Sequence, residues 1–297
     1  MIRIGTRGSA LALWQAEHVR ALLAARGQTT MREVITTTGD RLLDRRLQAV
    51  GGKGAFLKEI EDALLDGRVD LAVHSLKDVP TELPEGLKLC AFLERADPRD
   101  AWLSAAGVEL EDLPVGARVG TTSLRRQAQL RAMRPDLVVA DLRGNVDTRL
   151  RRLREGDFDG ILLAMAGLTR LGRAGEVTRA LEPEVLLPAP GQGAIALECR
   201  QDDVRVADLL GQLDHAPTSR AVTAERSFLA ALGGGCNVPL GAFAQCDGPE
   251  IYLRVLVARE DGSTVLRGSG RAPDPDGLGE ALARDLLEQG AGELLGR

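Results

Sequence analysis

The sequence is poor in aromatic residues, cysteine and histidine, and it has no long apolar run. Eight of its 297 residues are aromatic. None of them falls between Arg118 and Arg154, so the most basic stretch lacks the stacking platform that single-stranded nucleic acids require. No apolar segment approaches the roughly 20 residues that cross a bilayer. The N-terminus, Met1-Ile2-Arg3-Ile4-Gly5, runs straight into patterned sequence, so no signal peptide is expected. The four cysteines (Cys90, Cys199, Cys236 and Cys246) form no CxxC pair and show no metal spacing with the three histidines. No metal site is expected, and without an export signal the thiols read as reduced and cytoplasmic.

What is present is a globular composition, 44% hydrophobic and 27% charged. A chain of 297 residues exceeds what one core usually serves, so two or three domains are expected. The formal charge of −5 argues against a general nucleic-acid binder. Charge is uneven, however: ten arginines against three aspartates lie between Arg118 and Arg154, which points to an anionic partner of limited size.

Short apolar runs alternate with helical patterns, the signature of α/β structure with largely parallel sheets. Ile2–Gly5 reads as a strand, followed by a helix that Ser9 caps and Gly27 closes. Met31–Thr37 is a strand, Phe56–Leu65 a helix and Val69–His74 a strand. The same order returns from about residue 117, and the copies share a joint: Leu65-Asp66-Gly67-Arg68-Val69-Asp70 against Arg154-Glu155-Gly156-Asp157-Phe158-Asp159. Two similar lobes facing across a cleft are expected, with Leu187–Gly193 as a crossing between them. From about Pro217 the pattern becomes helix, glycine-rich loop, three strands and a last helix, a smaller α+β domain.

Five stretches could carry chemistry. Thr6-Arg7-Gly8-Ser9 and Gly120-Thr121-Thr122-Ser123-Leu124-Arg125-Arg126 each place hydroxyls and arginine at a helix start, which suits an anion; ordinary capping by Ser9 and Ser123 is the plainer alternative. Arg143 and Arg149 should lie at a strand-to-helix edge, whereas Arg151, Arg152 and Arg154 suit a solvated helix face. His74-Ser75-Leu76-Lys77-Asp78 ends a strand and offers one carboxylate for proton transfer, or is simply a polar loop. Val50-Gly51-Gly52-Lys53-Gly54-Ala55-Phe56 lacks Walker A spacing and reads as a lid or a plain loop. Gly233-Gly234-Gly235-Cys236 presents a thiol as a nucleophile or attachment point, with no basic residue within nine positions to activate it.

Together these stretches resemble the porphobilinogen deaminase (hydroxymethylbilane synthase) family, in family order from Gly5 to Gly241. The resemblance implies two lobes like type II periplasmic binding proteins around a cleft plus a smaller α+β third domain. The implied limits are 1–94 with about 194–213 returning to it, 99–188, and 217–297. It implies a dipyrromethane cofactor joined by a thioether to Cys236, and Asp78 as the catalytic carboxylate. Lys77, Asp40, Thr121, Thr122, Ser123, Arg125, Arg126, Arg143, Asn145 and Gln192 are implied to surround the cofactor. Arg7, Ser9, Arg149, Arg170, Lys53 and Phe56 are implied to bind substrate. Ala49 stands where some members carry a basic residue. Porphobilinogen is then the substrate and small-molecule partner. No nucleic acid or membrane is expected as partner, and the chain is expected to act as a monomer in the cytoplasm. Cofactor and growing chain would bring about a dozen carboxylates, which an arginine-lined cleft answers. Arg125→Leu, Arg126→Leu and Arg143→Leu are accordingly expected to impair loading or elongation while leaving the fold intact. A two-lobed anion-binding protein without catalysis is the rival, but it has no use for a thiol on a glycine loop. A nucleic-acid-binding regulator is disfavoured by the net charge.

Overall fold

The computed structural model describes residues 1–37, 57–233 and 238–296. They form two compact units, 1–96 with 194–219, and 97–193 with 220–297.

The first unit is built on strands β1 (Ile2–Thr6), β2 (Thr30–Val34), β3 (Leu71–Ser75), β4 (Leu87–Phe92) and β10 (Ile195–Arg200), in the order β2-β1-β3-β10-β4. β1 runs parallel to β2 and β3, whereas β10 runs antiparallel to both β3 and β4. The helix α1 (Ala10–Ala24) buries Ala16, Val19 and Leu23, one helical stripe, and packs with Ile2, Ile4, Leu71, Val73 and Leu197. The helix α6 (Val204–Gly211) adds Val206 and Leu210 to that core. A second core holds Ile60, Ala63 and Leu64 of the helix α2 (Lys58–Leu65) together with Val69, Ala72 and Leu87. Helices therefore cover both faces of the sheet, as residues alternating across β3 require.

The second unit repeats the plan. Strands β5 (Asp100–Ser104), β6 (Arg118–Gly120), β7 (Val138–Ala140), β8 (Gly160–Ala164) and β9 (Arg179–Leu181) lie in the order β7-β6-β8-β5-β9. β6 is parallel to β7 and β8, and β5 is antiparallel to β8 and β9. Helices α3 (Leu124–Met133), α4 (Val146–Arg154) and α5 (Met165–Arg170) complete it. Trp102 is fully buried between strands, and its indole N–H donates to Val108 O at 2.9 Å. A Cβ on Gly160 would lie 1.9 Å from that ring, so only glycine lets β8 run beside it.

The joint that the two copies share is physically the same. Gly67 and Gly156 take φ of 67° and 82°, the left-handed turn that returns the chain from helix to strand. The carboxylates three residues later, Asp70 and Asp159, accept from the backbone N–H of Arg3 at 2.8 Å and of Arg118 at 2.7 Å, pinning β1 and β6. One expectation needs correcting: the sheets are not largely parallel. Each carries an antiparallel strand, β10 or β5, beside its third strand, and neither has the alternating pattern that marks a strand in sequence.

The rest of the second unit is an antiparallel meander, β11 (Leu240–Asp247), β12 (Glu250–Ala258) and β13 (Val265–Ala272). The helices α7 (Ala216–Ala231, whose first four residues belong to the first unit), α8 (Pro275–Glu288) and α9 (Ala291–Leu294) accompany it. Phe228, Leu253, Val255, Leu282 and Leu286 share its core. Asp274 caps α8 by accepting from two backbone N–H groups, with Pro275 in the first turn. Ala128 of α3 and Leu187 pack with Phe243, Leu256 and Ala258 and join the meander to the sheet above.

Candidate active site

In a parallel pair the C-terminal ends of the strands share one edge, and helices start there with unsatisfied N–H groups. In the first unit that edge carries Arg7 and Ser9 after β1, and Lys77 and Asp78 after β3. Ser9 accepts from Ala12 N at 3.3 Å and caps α1, while the buried Thr6 donates to Ala12 O at 3.1 Å. Leu76–Asp78 forms one 3-10 turn. Leu76 and Val79 are buried on either side of it, so Lys77 and Asp78 stay half-exposed on a fixed turn. Gln15 donates to Ser75 Oγ at 2.9 Å, and the His74 Nε2 meets Glu198 Oε2 at 2.8 Å beneath the turn.

Glu198 is fully buried, and its other oxygen, Oε1, has no hydrogen-bond partner among the described residues. Glu61 lies near this pair. Burial, then the Glu198 charge, pushes the Glu61 carboxyl up to about 7, with His74 opposing.

In the second unit the same edge carries the Gly120–Ser123 start and the Arg143–Asn145 start. Ser123 stands at the N-cap of α3 but its side chain makes no cap bond; instead its N–H donates to Thr121 Oγ1 at 3.2 Å. Capping therefore explains Ser9 and leaves Ser123 without that role. Thr122 donates to Leu142 O at 3.4 Å, and Asn145 caps α4 by accepting from Thr148 N at 2.9 Å. Arg149 Nε reaches Gly144 O at 2.8 Å, and half-buried Arg143 reaches Asp141 at 3.4 Å. Arg170 donates to Gly193 O at 2.6 Å, and burial lowers its guanidinium to about 10.

Arg125 and Arg126 are not surface residues. Both are buried and converge on Asp100, the first residue of β5, which is itself fully buried. Arg125 Nη1 donates to Asp100 Oδ2 at 2.6 Å and to Leu187 O at 2.7 Å. Arg126 donates to Asp100 Oδ1 through Nε at 3.0 Å and Nη2 at 2.6 Å. Gln192 Nε2 adds a bond to Asp100 at 2.9 Å and one to Pro98 O at 2.7 Å. Burial alone would raise the Asp100 carboxyl, but the Arg125 and Arg126 charges outweigh it and hold the group well below the usual carboxylate range. Arg125 Nε is a buried N–H without a partner among the described residues, a place for one more acceptor.

The expectation that Arg125→Leu or Arg126→Leu leaves the fold intact is therefore corrected, because either change strips a partner from a buried carboxylate. The apparent excess of positive charge is also smaller than the local count. Arg151, Arg152, Arg154 and Arg134 pair with Glu155, Asp157, Glu176 and Asp136. Asp40, Lys53, Phe56 and Cys236 lie outside the described residues. Asp100, Glu198 and Glu225 have no place among the sequence candidates. The Glu225 carboxylate is fully buried and accepts from Gly191 N at 2.6 Å and Ala244 N at 2.7 Å, tying the Leu187–Gly193 segment to β11. The signal for Asp100 and Glu198 was an acidic residue bordering or interrupting an apolar run, which burial makes costly unless partnered.

Among the described residues no helix is long and apolar enough to cross a membrane, and no cluster of His, Cys, Asp and Glu could hold a metal. Residues 2–208 match the family model of the porphobilinogen deaminase dipyromethane cofactor binding domain, and 219–288 match that of the porphobilinogen deaminase C-terminal domain. The chain belongs to the porphobilinogen deaminase family. The porphobilinogen deaminase of Roseiflexus sp. (strain RS-1) is 56% identical over 296 residues, 98% of this chain and 97% of the relative. That of Roseiflexus castenholzii (strain DSM 13941 / HLO8) is 55% identical over 298 residues, 99% and 98% of the two chains. Among solved structures, a periplasmic substrate-binding protein of an ABC transporter from Coxiella burnetii is similar, 14% identical with a TM-score of 0.44, covering 76% of this chain and 97% of that one. The family model for the first domain names the cofactor that the resemblance implied for Cys236.

Proposed function

We propose that the chain is a transferase that joins four porphobilinogen molecules head to tail on a dipyrromethane held by a thioether at Cys236. Each joining forms one carbon–carbon bond between the aminomethyl carbon of the incoming unit and the chain's terminal pyrrole carbon, and one ammonia leaves. Water then releases hydroxymethylbilane. The observation that carries this reading is the family match, which runs through both domain models and nearly the full length of close relatives.

The residues at the two sheet edges suit the group. Arg125 keeps one buried N–H without a partner among the described residues, and a ligand carboxylate is the acceptor that completes it. Bound dipyrromethane supplies the nucleophilic pyrrole carbon. The chain supplies the rest. Arg143, Arg149 and Arg170 at the edge of the second sheet bind acetate and propionate groups, and Arg7 and Ser9 do so in the first unit. Thr121, Thr122, Ser123, Asn145, Gln192 and Lys77 are assigned to the cofactor's surroundings, as are Asp40, Lys53 and Phe56 to the cofactor and substrate. Asp78 sits on a turn fixed by two buried side chains, so its carboxylate meets the substrate at a constant position. There it holds a pyrrole N–H as positive charge develops and takes up the ring proton afterwards. The cytoplasm is the compartment proposed.

Intact mass tests the reading. Purified protein should exceed its 31.7 kDa sequence mass by two pyrrole units, with the adduct on the peptide containing Cys236 and absent from Cys236→Ser. Active protein of unmodified mass would overturn it, as would a bound anion with no ammonia released from porphobilinogen.

A further inference from the structure

Three cysteines remain outside the proposed chemistry, and two of them touch. Cys90 lies on β4 and Cys199 on β10, neighbouring antiparallel strands of the first unit, with their sulfurs 2.6 Å apart. A disulfide needs roughly 2.05 Å between sulfurs. The ladder explains the meeting. Leu197 pairs with Ala91, the register then shifts, and Glu198 pairs with Leu89, which leaves Cys90 as an extra residue on β4. Such a bulge bends its strand and re-aims a side chain. It turns Cys90 to the face where Cys199 and Ala91 share one core.

We propose that Cys90 and Cys199 form a reversible disulfide when the protein meets a peroxide, a covalent tie between the two chain segments that make up the first unit. The sulfurs stand 109 positions apart in sequence, one in the 1–96 segment and one in the 194–219 segment. Cys199 is fully buried while Cys90 is half-buried, so oxidant reaches the pair from the Cys90 side. The S–H that Cys90 shares with Cys199 lowers the Cys199 thiol, and the Lys88 ammonium opposite it acts in the same direction. In the reaction both S–H bonds break and one S–S bond forms. Two electrons pass to the peroxide, its O–O bond breaks, and the two protons complete two waters. Internal pairs of this kind in reducing compartments are usually transient and redox-responsive.

The test uses the full-length, cofactor-loaded protein. Reduced protein is treated with hydrogen peroxide, excess oxidant is removed, and tryptic peptides are read by mass without reductant. The expected product is residues 89–95 linked to residues 180–200, two hydrogens lighter than the separate peptides and parted again by dithiothreitol. The oxidised protein should melt several degrees above the reduced form, because the tie closes a long loop in the unfolded chain. Cys90→Ser and Cys199→Ser should show neither the link nor the shift, while Cys246→Ser should show both. Sulfinic acid at either residue with both peptides unlinked would overturn the proposal. So would a link to Cys246 or to a second chain, or a pair that reacts only after denaturation.

Discussion

Glu198 and Asp100 sit on matching strands of two sheets with one plan, and they live in opposite electrostatic worlds. Each belongs to the antiparallel strand placed fourth in its sheet, and each is fully buried. Asp100 pairs with Ala164, the last residue of β8, at the edge where the helices start. Glu198 pairs with Ala72, well inside β3. At the edge, α3 can deliver two guanidiniums and the 187–193 segment a carboxamide, so Asp100 is ionised and fully bonded. Three residues deeper, the partners are an imidazole and a second carboxyl, Glu61, which burial drives towards the neutral form. The two units thus use the same scaffold for different ends. One organises cations around a buried anion at the site edge, and the other sets two buried carboxyls beside an imidazole under the turn that carries Asp78.

The largest effect expected from breaking this division is chemical. Asp78→Asn should fold with unchanged melting and lose nearly all turnover, and Asp78→Glu should remain slow, because a displacement of about one methylene can cost on the order of 100-fold. Near-wild-type kcat in Asp78→Asn would move the catalytic carboxylate elsewhere. In the second unit the first casualty should be the fold. Asp100→Asn leaves two buried guanidiniums without their anion and should cost roughly 3–5 kcal/mol in urea unfolding, whereas Glu198→Gln keeps an acceptor for His74 and should cost about 1 kcal/mol. Equal costs would erase the contrast between the two carboxylates.

The pH dependence should have opposite signs. Glu61 ionises near 4.5 when unfolded and at about 7 when folded. The unfolded chain therefore releases its proton first. The stability Glu61 contributes is complete below about pH 4.5 and is lost as pH rises through 7, on the order of 3 kcal/mol. Asp100 behaves conversely: its contribution is present above its ordinary value of 3.8 and is lost only in stronger acid. Melting curves of Glu61→Gln between pH 4 and 8 should lack the first slope. The smallest effect separates the two helix starts. Ser9→Ala should cost about 1 kcal/mol as a lost cap, and Ser123→Ala a few tenths, since Ser123 makes no cap bond.

Much of this plan was legible in the sequence. The β1–α1 start with its apolar stripe and the shared Gly67 and Gly156 joint depend on neighbours within a few residues, which periodicity reports. β5, β9 and β10 were not: β9 is three residues long, and β5 and β10 lie in sequence without alternation. Their pairing with β8, β3 and β4 is also decided far along the chain. The site divides in the same way. Arg143 and Arg149 were assigned to a strand-to-helix edge; Arg143 precedes the cap of α4 and Arg149 stands one turn inside it. That Arg125 and Arg126 are already paired depends on Asp100, 25 and 26 positions earlier, and no local pattern reveals it.

The placement of β10 has a consequence for how the chain is made. β4 touches its sheet only through β10, and β10 begins at Ile195. On a ribosome adding roughly 5–20 residues per second, the hundred residues between them take on the order of 5–20 s. During that interval β3 offers an open edge and β4 has no strand beside it. The sheet β7-β6-β8-β5-β9 is drawn wholly from residues 100–181 and can close earlier. The lobe encoded first is thus completed second, and a nascent chain arrested once residues up to 193 have emerged should protect β8 from amide exchange while leaving β4 open.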